Sequence, residues 1–162
     1  MKIHFSTVQV RSPQAEPFAR RAVRRALATS GPIARGEMNV VWTTRAQLRI
    51  MNRRFRRTNR FTDVIAFRHG AESALGPFPL GPRGGEPFGD LYIAVDQARL
   101  NARRFGASFS EEIIRLAVHG TLHLLGHTDY TPGPKARMWA VQEPIVQAVL
   151  KSASRTPPLS AE

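Results

Sequence analysis

Cysteine is absent from this chain of 162 residues. Its absence excludes disulfide bonds, thiolate zinc sites, iron–sulfur clusters and thiol nucleophiles. Long apolar runs are also missing, since no stretch approaches the roughly 20 residues that a transmembrane helix needs. Met1 leads directly into the alternating Lys2, Ile3, His4 and Phe5 rather than into a signal-like apolar segment. We therefore expect a cytoplasmic protein without a membrane partner.

Lysine is scarce, whereas arginine is abundant. The 24 basic residues include three lysines, Lys2, Lys135 and Lys151, and they face 12 acidic residues, which gives a net charge of +12. A genome rich in arginine codons explains the choice of arginine, but it does not explain the excess of positive charge. An unbalanced positive field on a small protein favours a polyanionic partner, with nucleic acid ahead of acidic lipid.

The spacing of apolar residues predicts an α+β fold with about four strands. The strands are expected near residues 3–10, 37–42, 61–67 and 89–95. Helices are expected at 18–28, at 45–55 with Thr44 as N-cap, from an N-cap at Asp96 to 104, at 109–125, and from Pro134 onward. The helix at 109–125 is apolar on nearly every side, and Ser108 with Glu111 forms a capping box before it, so we expect it to be buried.

Glycine and proline crowd residues 68–88, and this composition predicts a long loop or flap. The last residues, 153–162, are polar and contain proline, which predicts a disordered tail. The hydrophobic content of 42% and the length are typical of one compact unit. We therefore expect a single domain over residues 1–152.

His119 and His123 lie four residues apart in the apolar helix. This spacing places both rings on one face about one turn, roughly 6 Å, apart. A single histidine there would be interpreted as a hydrogen-bonded core residue. Two rings on one apolar face need partners for four nitrogens, and a shared metal ion satisfies that need.

A third ligand is expected just after the helix. Gly126 can end the helix and turn the chain back, which returns a side chain between His127 and Asp129 towards the pair. Asp129 lies ten residues after His119, an offset found in metzincins, and it is the favoured ligand, with His127 as the alternative. Three nitrogen and oxygen ligands with water in the fourth position are typical of catalytic zinc.

A glutamate directly after the first histidine is missing, because Gly120 stands there. Zinc proteases place their general base at that position, so peptide hydrolysis is disfavoured. A metal-polarised water can still attack a phosphodiester, and in RNA the 2′-hydroxyl can itself be the nucleophile. Asp90 and Glu112 are candidates for the groups that orient the metal-binding histidines.

Arginines form a stripe along the helix that begins at residue 45. Such a stripe can be a solvated face, but beside a metal site it predicts contacts with RNA phosphates. Arg45, Arg49, Arg53 and Arg56 share one narrow face, and Arg57 and Arg60 extend the charge. The candidate RNA-binding residues are Arg45, Arg49, Arg53, Arg57 and Arg60.

Three stretches resemble the YbeY family of bacterial endoribonucleases, also called rRNA maturation factors. They run from Asn52 through Arg56 to Thr62–Phe67, from Gly89 to Ala94, and from His119 to Asp129 followed by Met138 and Gln142–Glu143. The family's metal motif reads H-G-x-L-H-L-x-G-[YH]-D-H with three histidine ligands. His119 and His123 match it, and the third ligand position holds Asp129. A carboxylate there should make the metal a weaker Lewis acid.

The resemblance implies a zincin-like α+β domain whose mixed sheet packs on helices and whose buried central helix carries the ligands of one zinc ion. It implies metal-dependent cleavage of single-stranded RNA, with a role in maturation of the 3′ end of small-subunit ribosomal RNA and in ribosome quality control. Arg56 falls on the arginine of the family's N-x-x-[FY]-R motif and is the implied catalytic residue. Because no general base is evident, a zinc-stabilised assembly factor that binds RNA on the small subunit without cutting it remains the alternative.

Overall fold

A computed structural model describes residues 1–31, 36–59, 62–69 and 87–155. Within these residues the chain forms four β-strands and five α-helices in the predicted order. The strands are β1 (Lys2–Thr7), β2 (Glu37–Thr43), β3 (Val64–Arg68) and β4 (Pro87–Ala94). The helices are α1 (Glu16–Ala28), α2 (Arg45–Met51), α3 (Val95–Phe105), α4 (Phe109–Leu124) and α5 (Pro132–Ser154). The predicted α+β class is confirmed.

The four strands form one mixed sheet in the order β1-β2-β4-β3. β1, β2 and β4 run parallel to one another, whereas β3 runs antiparallel to β4. β1 and β3 are therefore the two edges of the sheet. Three strand spacings, roughly 14 Å in total, separate these edges.

Helices cover both faces of the sheet. Trp42, Leu91 and Ile93 belong to the larger core cluster, which includes buried residues of α1, α4 and α5. Val41 and Tyr92 belong to a second cluster with buried residues of α2. Because neighbouring side chains of a strand point to opposite faces, these two clusters lie on opposite sides of β2 and β4. The inner strands therefore read as continuous apolar runs rather than alternating ones.

The helix α3 begins earlier than its sequence indicates. Ala94 is its N-cap and Val95 its first residue, so the prediction that Asp96 caps this helix is wrong. The Asp96 carboxylate lies in the first turn and accepts hydrogen bonds from the backbone N–H groups of Arg45 and Gln97, at 2.8 and 2.9 Å. Asp96 thus joins the beginnings of α2 and α3 instead of capping one of them.

The segment predicted as loop is partly strand. Arg68 is the last residue of β3, and Pro87 and Phe88 begin β4, because Arg68 pairs with Gly89 across the antiparallel ladder. Residues 70–86 of the predicted flap lie outside the described residues. At the other end, α5 extends to Ser154, beyond the predicted start of the tail, and residues 156–162 are again outside. None of the described helices is both long and apolar enough to cross a membrane.

Candidate metal centre

The helix α4 begins and ends with well-defined caps. The Ser108 side chain accepts a hydrogen bond from the backbone N–H of Glu111, as predicted. At the other end, Gly126 has a φ of +97°, a conformation that favours glycine. The Gly126 amide donates to the His123 carbonyl and the His127 amide to the Leu122 carbonyl, both at 3.0 Å. This pair of bonds is the Schellman motif, which reverses the chain and returns it towards the helix.

The turn brings Asp129 to the two histidines of α4. The Nε2 atoms of His119 and His123 are 3.0 Å apart. The Asp129 carboxylate oxygens lie 3.4 Å from the Nε2 of His119 and 3.6 Å from the Nε2 of His123. Zinc with tetrahedral bonds of about 2.0–2.1 Å separates its ligand atoms by roughly 3.3 Å. These three residues can hold a metal ion.

Hydrogen bonds at the far side of each ring decide which nitrogen faces the cluster. The His123 Nδ1 lies 2.9 Å from the backbone carbonyl of His127, which can only accept, so this nitrogen carries the proton. The His119 Nδ1 lies 2.7 Å from the Gln142 Oε1, and the Gln142 amide nitrogen donates to Glu143. With the proton on Nδ1, each ring in its neutral form directs an Nε2 lone pair at the other ring and at Asp129.

The His123 ring favours its neutral form. Burial lowers its pKa, and the nearby His119 and Arg56 act in the same direction, while Asp129 and the His127 carbonyl oppose them. A neutral imidazole is the form that binds a metal. Two nitrogen lone pairs and a carboxylate converge without a proton between them, and a cation at their centre would remove this repulsion.

The predicted alternative ligand and orienting residues lie elsewhere. His127 lines the cavity and contacts the cluster through its backbone carbonyl, which lies 2.9 Å from the His123 Nδ1. Asp90 accepts hydrogen bonds from Asn39 and His69, both at 2.8 Å. Glu112 accepts one from Asn101 at 3.1 Å. The prediction that Asp90 and Glu112 orient the metal-binding histidines is therefore wrong, because Gln142 and the His127 carbonyl occupy both Nδ1 atoms.

Gly120 follows His119 in a position without room for a side chain. A Cβ there would overlap the Leu91 side chain of β4 and approach the Val64 side chain of β3 to 3.1 Å. The helix therefore lies directly against the sheet at this point. A glutamate at this position would have to displace the Leu91 side chain, so the packing agrees with the argument against a zinc protease.

The cluster opens into a cavity of about 420 Å³ beside β3. Arg56, Arg68 and Asp63 bring charge to its wall, and Tyr130 lies at the same cavity with four-fifths of its surface exposed. Arg68 also donates a hydrogen bond to the Leu124 carbonyl at 3.2 Å, which fixes it beside the end of α4. Sequence reasoning missed Arg68, which lies outside the arginine stripe. It placed Gln142 in the stretch that resembles the YbeY family but did not predict its contact with His119.

The arginine stripe spans α2 and a π-helical turn, Asn52–Arg56, that follows it. Leu48 and Met51 are buried, and the basic side chains lie on the other side. Of the described stripe residues, only Arg56 lines the metal cavity. The cavity lining does not include Arg45, Arg49, Arg53 or Arg57. Arg49 instead donates a hydrogen bond to the Asn59 side chain at 2.7 Å. Arg60 falls outside the described residues.

Comparisons with known proteins agree with this geometry. The model of the family described as endoribonuclease YbeY matches residues 2–150. A YbeY endoribonuclease of Streptococcus mutans is 37% identical over 69% of this chain and 75% of its own length, and one of Myxococcus xanthus is 32% identical over 86% of this chain and 46% of its own length. A solution structure of a Thermotoga maritima protein has the same fold, with a TM-score of 0.60, 19% identity, and coverage of 98% of this chain and 99% of that one. The chain belongs to the YbeY endoribonuclease family.

Proposed function

We propose that this protein is a zinc-dependent endoribonuclease that cuts single-stranded RNA during maturation of the 3′ end of small-subunit ribosomal RNA. Residues 1–152 would act as one domain and bind one zinc ion through His119, His123 and Asp129. The observation that supports the proposal best is the convergence of these three side chains in a cavity that also contains Arg56. The names of the curated relatives agree with this activity.

The donor set suits zinc. Two imidazole nitrogens and one carboxylate oxygen are common zinc ligands, and three protein ligands leave a fourth position for water or substrate. When bound, the ion would supply a Lewis acid that polarises a water molecule or a phosphate oxygen. The ligand side chains are 24–31% exposed, so a substrate in the cavity could reach them.

The chain's own residues would bind and orient the RNA. Arg56 presents a planar guanidinium suited to a bidentate contact with the scissile phosphate, where it would stabilise the charge that develops during the reaction. The arginines that the sequence predicts to bind RNA, namely Arg45, Arg49, Arg53, Arg57 and Arg60, would bind neighbouring phosphates. Gln142 and the His127 carbonyl would hold the two rings in the orientation that the reaction needs.

Cleavage of labelled single-stranded RNA, with and without a chelator, tests this proposal. His123→Ala should abolish both zinc binding and cleavage. Arg56→Ala should retain zinc and lower the cleavage rate by about 100-fold or more, a typical effect of removing one group that stabilises a transition state. Arg54→Ala is the matched control, since Arg54 carries the same charge in the same turn and does not line the cavity.

The alternative function, a zinc-stabilised RNA-binding assembly factor, predicts a different result. The wild type would then bind RNA without cutting it, and His123→Ala would lower stability alone. Cleavage by His123→Ala at the wild-type rate, in samples shown to be free of contaminating nuclease, would reject the proposal. A precursor of small-subunit RNA, compared with an unrelated single strand of equal length, tests the ribosomal substrate.

A further inference from the structure

A second group of arginines lies on α1, apart from the metal cavity. Arg21, Arg24 and Arg25 follow the i, i+3, i+4 spacing that places side chains on one helix face, and all three are exposed. They line a groove of about 330 Å³ between α1 and the last turns of α5. The other lining residues are small or uncharged: Ala28, Ala148, Val149 and Ser152.

The stretches of α1 and α5 that form this groove carry positive charge and no acidic residue. Neither residues 17–31 nor residues 144–155 include an aspartate or glutamate, and the second stretch adds the exposed Lys151 and Arg155. Among the described residues, Arg24 and Arg25 form no salt bridge with an acid. Arg115, by contrast, contacts Glu111 and Glu143 at 3.4 and 3.2 Å. Arg24 and Arg25, with Lys151 and Arg155 close by in the chain, therefore contribute a positive field at this groove.

The groove and the metal cavity occupy different parts of the fold. They share no lining residue. Arg20 donates to the Ile3 carbonyl at 3.1 Å and stacks on the Phe5 ring, which places α1 beside β1, one edge of the sheet. The metal cavity is lined by Val64 and Ala66 of β3, the opposite edge. A single RNA phosphate cannot contact both the groove and the metal cavity, whereas an RNA strand of sufficient length can contact both.

We propose that this groove is a second binding site for RNA phosphates, formed by Arg21, Arg24 and Arg25. This inference rests on the proposed function, since it identifies where a long RNA substrate is held away from the point of cleavage. Guanidinium groups match phosphate oxygens in charge and geometry. The site would raise the affinity for long RNA without contacting the scissile phosphate.

The lining of the groove favours RNA over an acidic membrane. Proteins that bind at membrane surfaces insert large apolar side chains beside their basic residues. The large apolar side chains that are exposed in the described part of the chain are Met1, Ile50, Leu100, Phe105, Tyr130 and Trp139, and none of these lines the groove. Phosphate recognition without apolar insertion is typical of contacts with a nucleic-acid backbone.

Replacement of Arg21, Arg24 and Arg25 by alanine tests the site. The matched control replaces Arg99, Arg103 and Arg104 of α3, which removes the same charge from exposed residues outside the groove. Affinity is measured by fluorescence anisotropy in the His123→Ala background, with single-stranded RNAs of about 30 and about 4 nucleotides at several salt concentrations. Cleavage of the short RNA is measured without the His123 substitution.

The α1 variant should lose about tenfold in affinity for the long RNA, and its salt dependence should fall by about 2 in log–log slope, since each single-strand phosphate contact contributes about 0.7. Its affinity for the short RNA and its cleavage of the short RNA should equal those of the wild type. Equal losses of RNA affinity in the α1 and α3 variants would show that the effect comes from net charge alone and would overturn the proposal. A variant that loses affinity only for anionic lipid vesicles, and not for RNA, would overturn it as well. If the wild type cuts no RNA at all, the proposed function fails independently of this comparison.

Discussion

His119 and His123 can offer their Nε2 atoms to a metal ion because an oxygen atom lies within hydrogen-bond distance of each Nδ1. One of these oxygens comes from the chain reversal after α4 and the other from the Gln142 side chain of α5, which is 3% exposed. Such contacts fix the tautomer and the orientation of a metal-binding ring, and their loss typically weakens metal binding by 10–100-fold. Gln142 is therefore a positioning residue.

Replacement of Gln142 by leucine should lower zinc affinity by about 10–100-fold, because leucine preserves the volume but removes the acceptor. Gln142→Glu keeps an oxygen that can accept from the His119 Nδ1 and should bind zinc more tightly than the leucine variant, although it loses the hydrogen bond to Glu143. Competition with a chromophoric chelator measures both affinities. Wild-type affinity in the leucine variant would show that the His119–Gln142 bond has no role in metal binding. Thermal unfolding of the metal-free variants separates this effect from a general loss of stability.

The sequence predicts the metal site only in part at the residue scale. The i, i+4 spacing identifies His119 and His123 because helical geometry relates neighbours in the chain, and the glycine turn limits the third ligand to a few positions. Asp129, rather than His127, joins the cluster once the turn has a definite conformation. Gln142 lies 23 residues after His119 on another helix, so its contact depends on how α4 and α5 pack.

The position of α4 in the fold depends on close contact with the sheet at Gly120. The absence of a side chain there lets the helix backbone approach Leu91 and Val64, and this approach places His119 beside β3. A close helix–sheet contact leaves no space for even one added methyl group, and an added group forces neighbours away from their preferred rotamers.

Gly120→Ala should therefore destabilise the protein by about 1–3 kcal/mol, the usual effect of overpacking a core. Gly133→Ala is the control within another helix, since its added Cβ would only meet the Arg137 side chain at 3.5 Å. Alanine favours helices more than glycine, so the control should be neutral or slightly stabilising. Urea unfolding measures both free energies. A Gly120→Ala variant as stable as the control would mean that α4 is free to move away from the sheet.

Local signals predict most elements, and they fail where an element depends on a distant partner. Thr44 and Ser108 cap α2 and α4 as expected, because each accepts from a backbone N–H three residues further along the chain. Asp96 has the same local signature, but its carboxylate serves the beginning of α2 as well. Arg68 belongs to β3 because it pairs with Gly89 of β4. The sequence does not predict this pairing, since the residues that follow Arg68 are rich in glycine and proline.

The arrangement of the whole sheet goes beyond what the sequence pattern predicts. Apolar periodicity indicates four strands, but it says nothing about the order β1-β2-β4-β3 or the reversed direction of β3. That order places β3 at an edge, where its residues can line the metal cavity beside α4. The net charge of +12 likewise predicts a nucleic-acid partner. The charge pattern does not predict the groove on α1, because residues of α5 form its other side.

Stability of the whole molecule should depend on the protonation of Glu112 in α4. This side chain is buried, and burial is the main cause that raises its pKa above the ordinary value of 4.5. Asn101 donates to its Oε1 at 3.1 Å and opposes the shift, whereas the nearby Asp63 adds to it. Because the folded state binds the proton more tightly than the unfolded state, the protein should lose stability as the pH rises from 4.5 through the folded-state pKa.

Glu112→Gln removes this titration and keeps an amide oxygen that can accept from Asn101. The free energy of unfolding of the variant, relative to that of the wild type, should therefore increase from about pH 5 to about pH 8. The reason is that only the wild type must bury a charge at the higher pH. Urea titrations of the metal-free proteins at both pH values measure it, and groups common to both proteins cancel in the difference. Glu111→Gln is the control, because Glu111 is less buried and pairs with Arg115. A pH-independent difference would show that Glu112 ionises in the folded state as readily as in the unfolded chain.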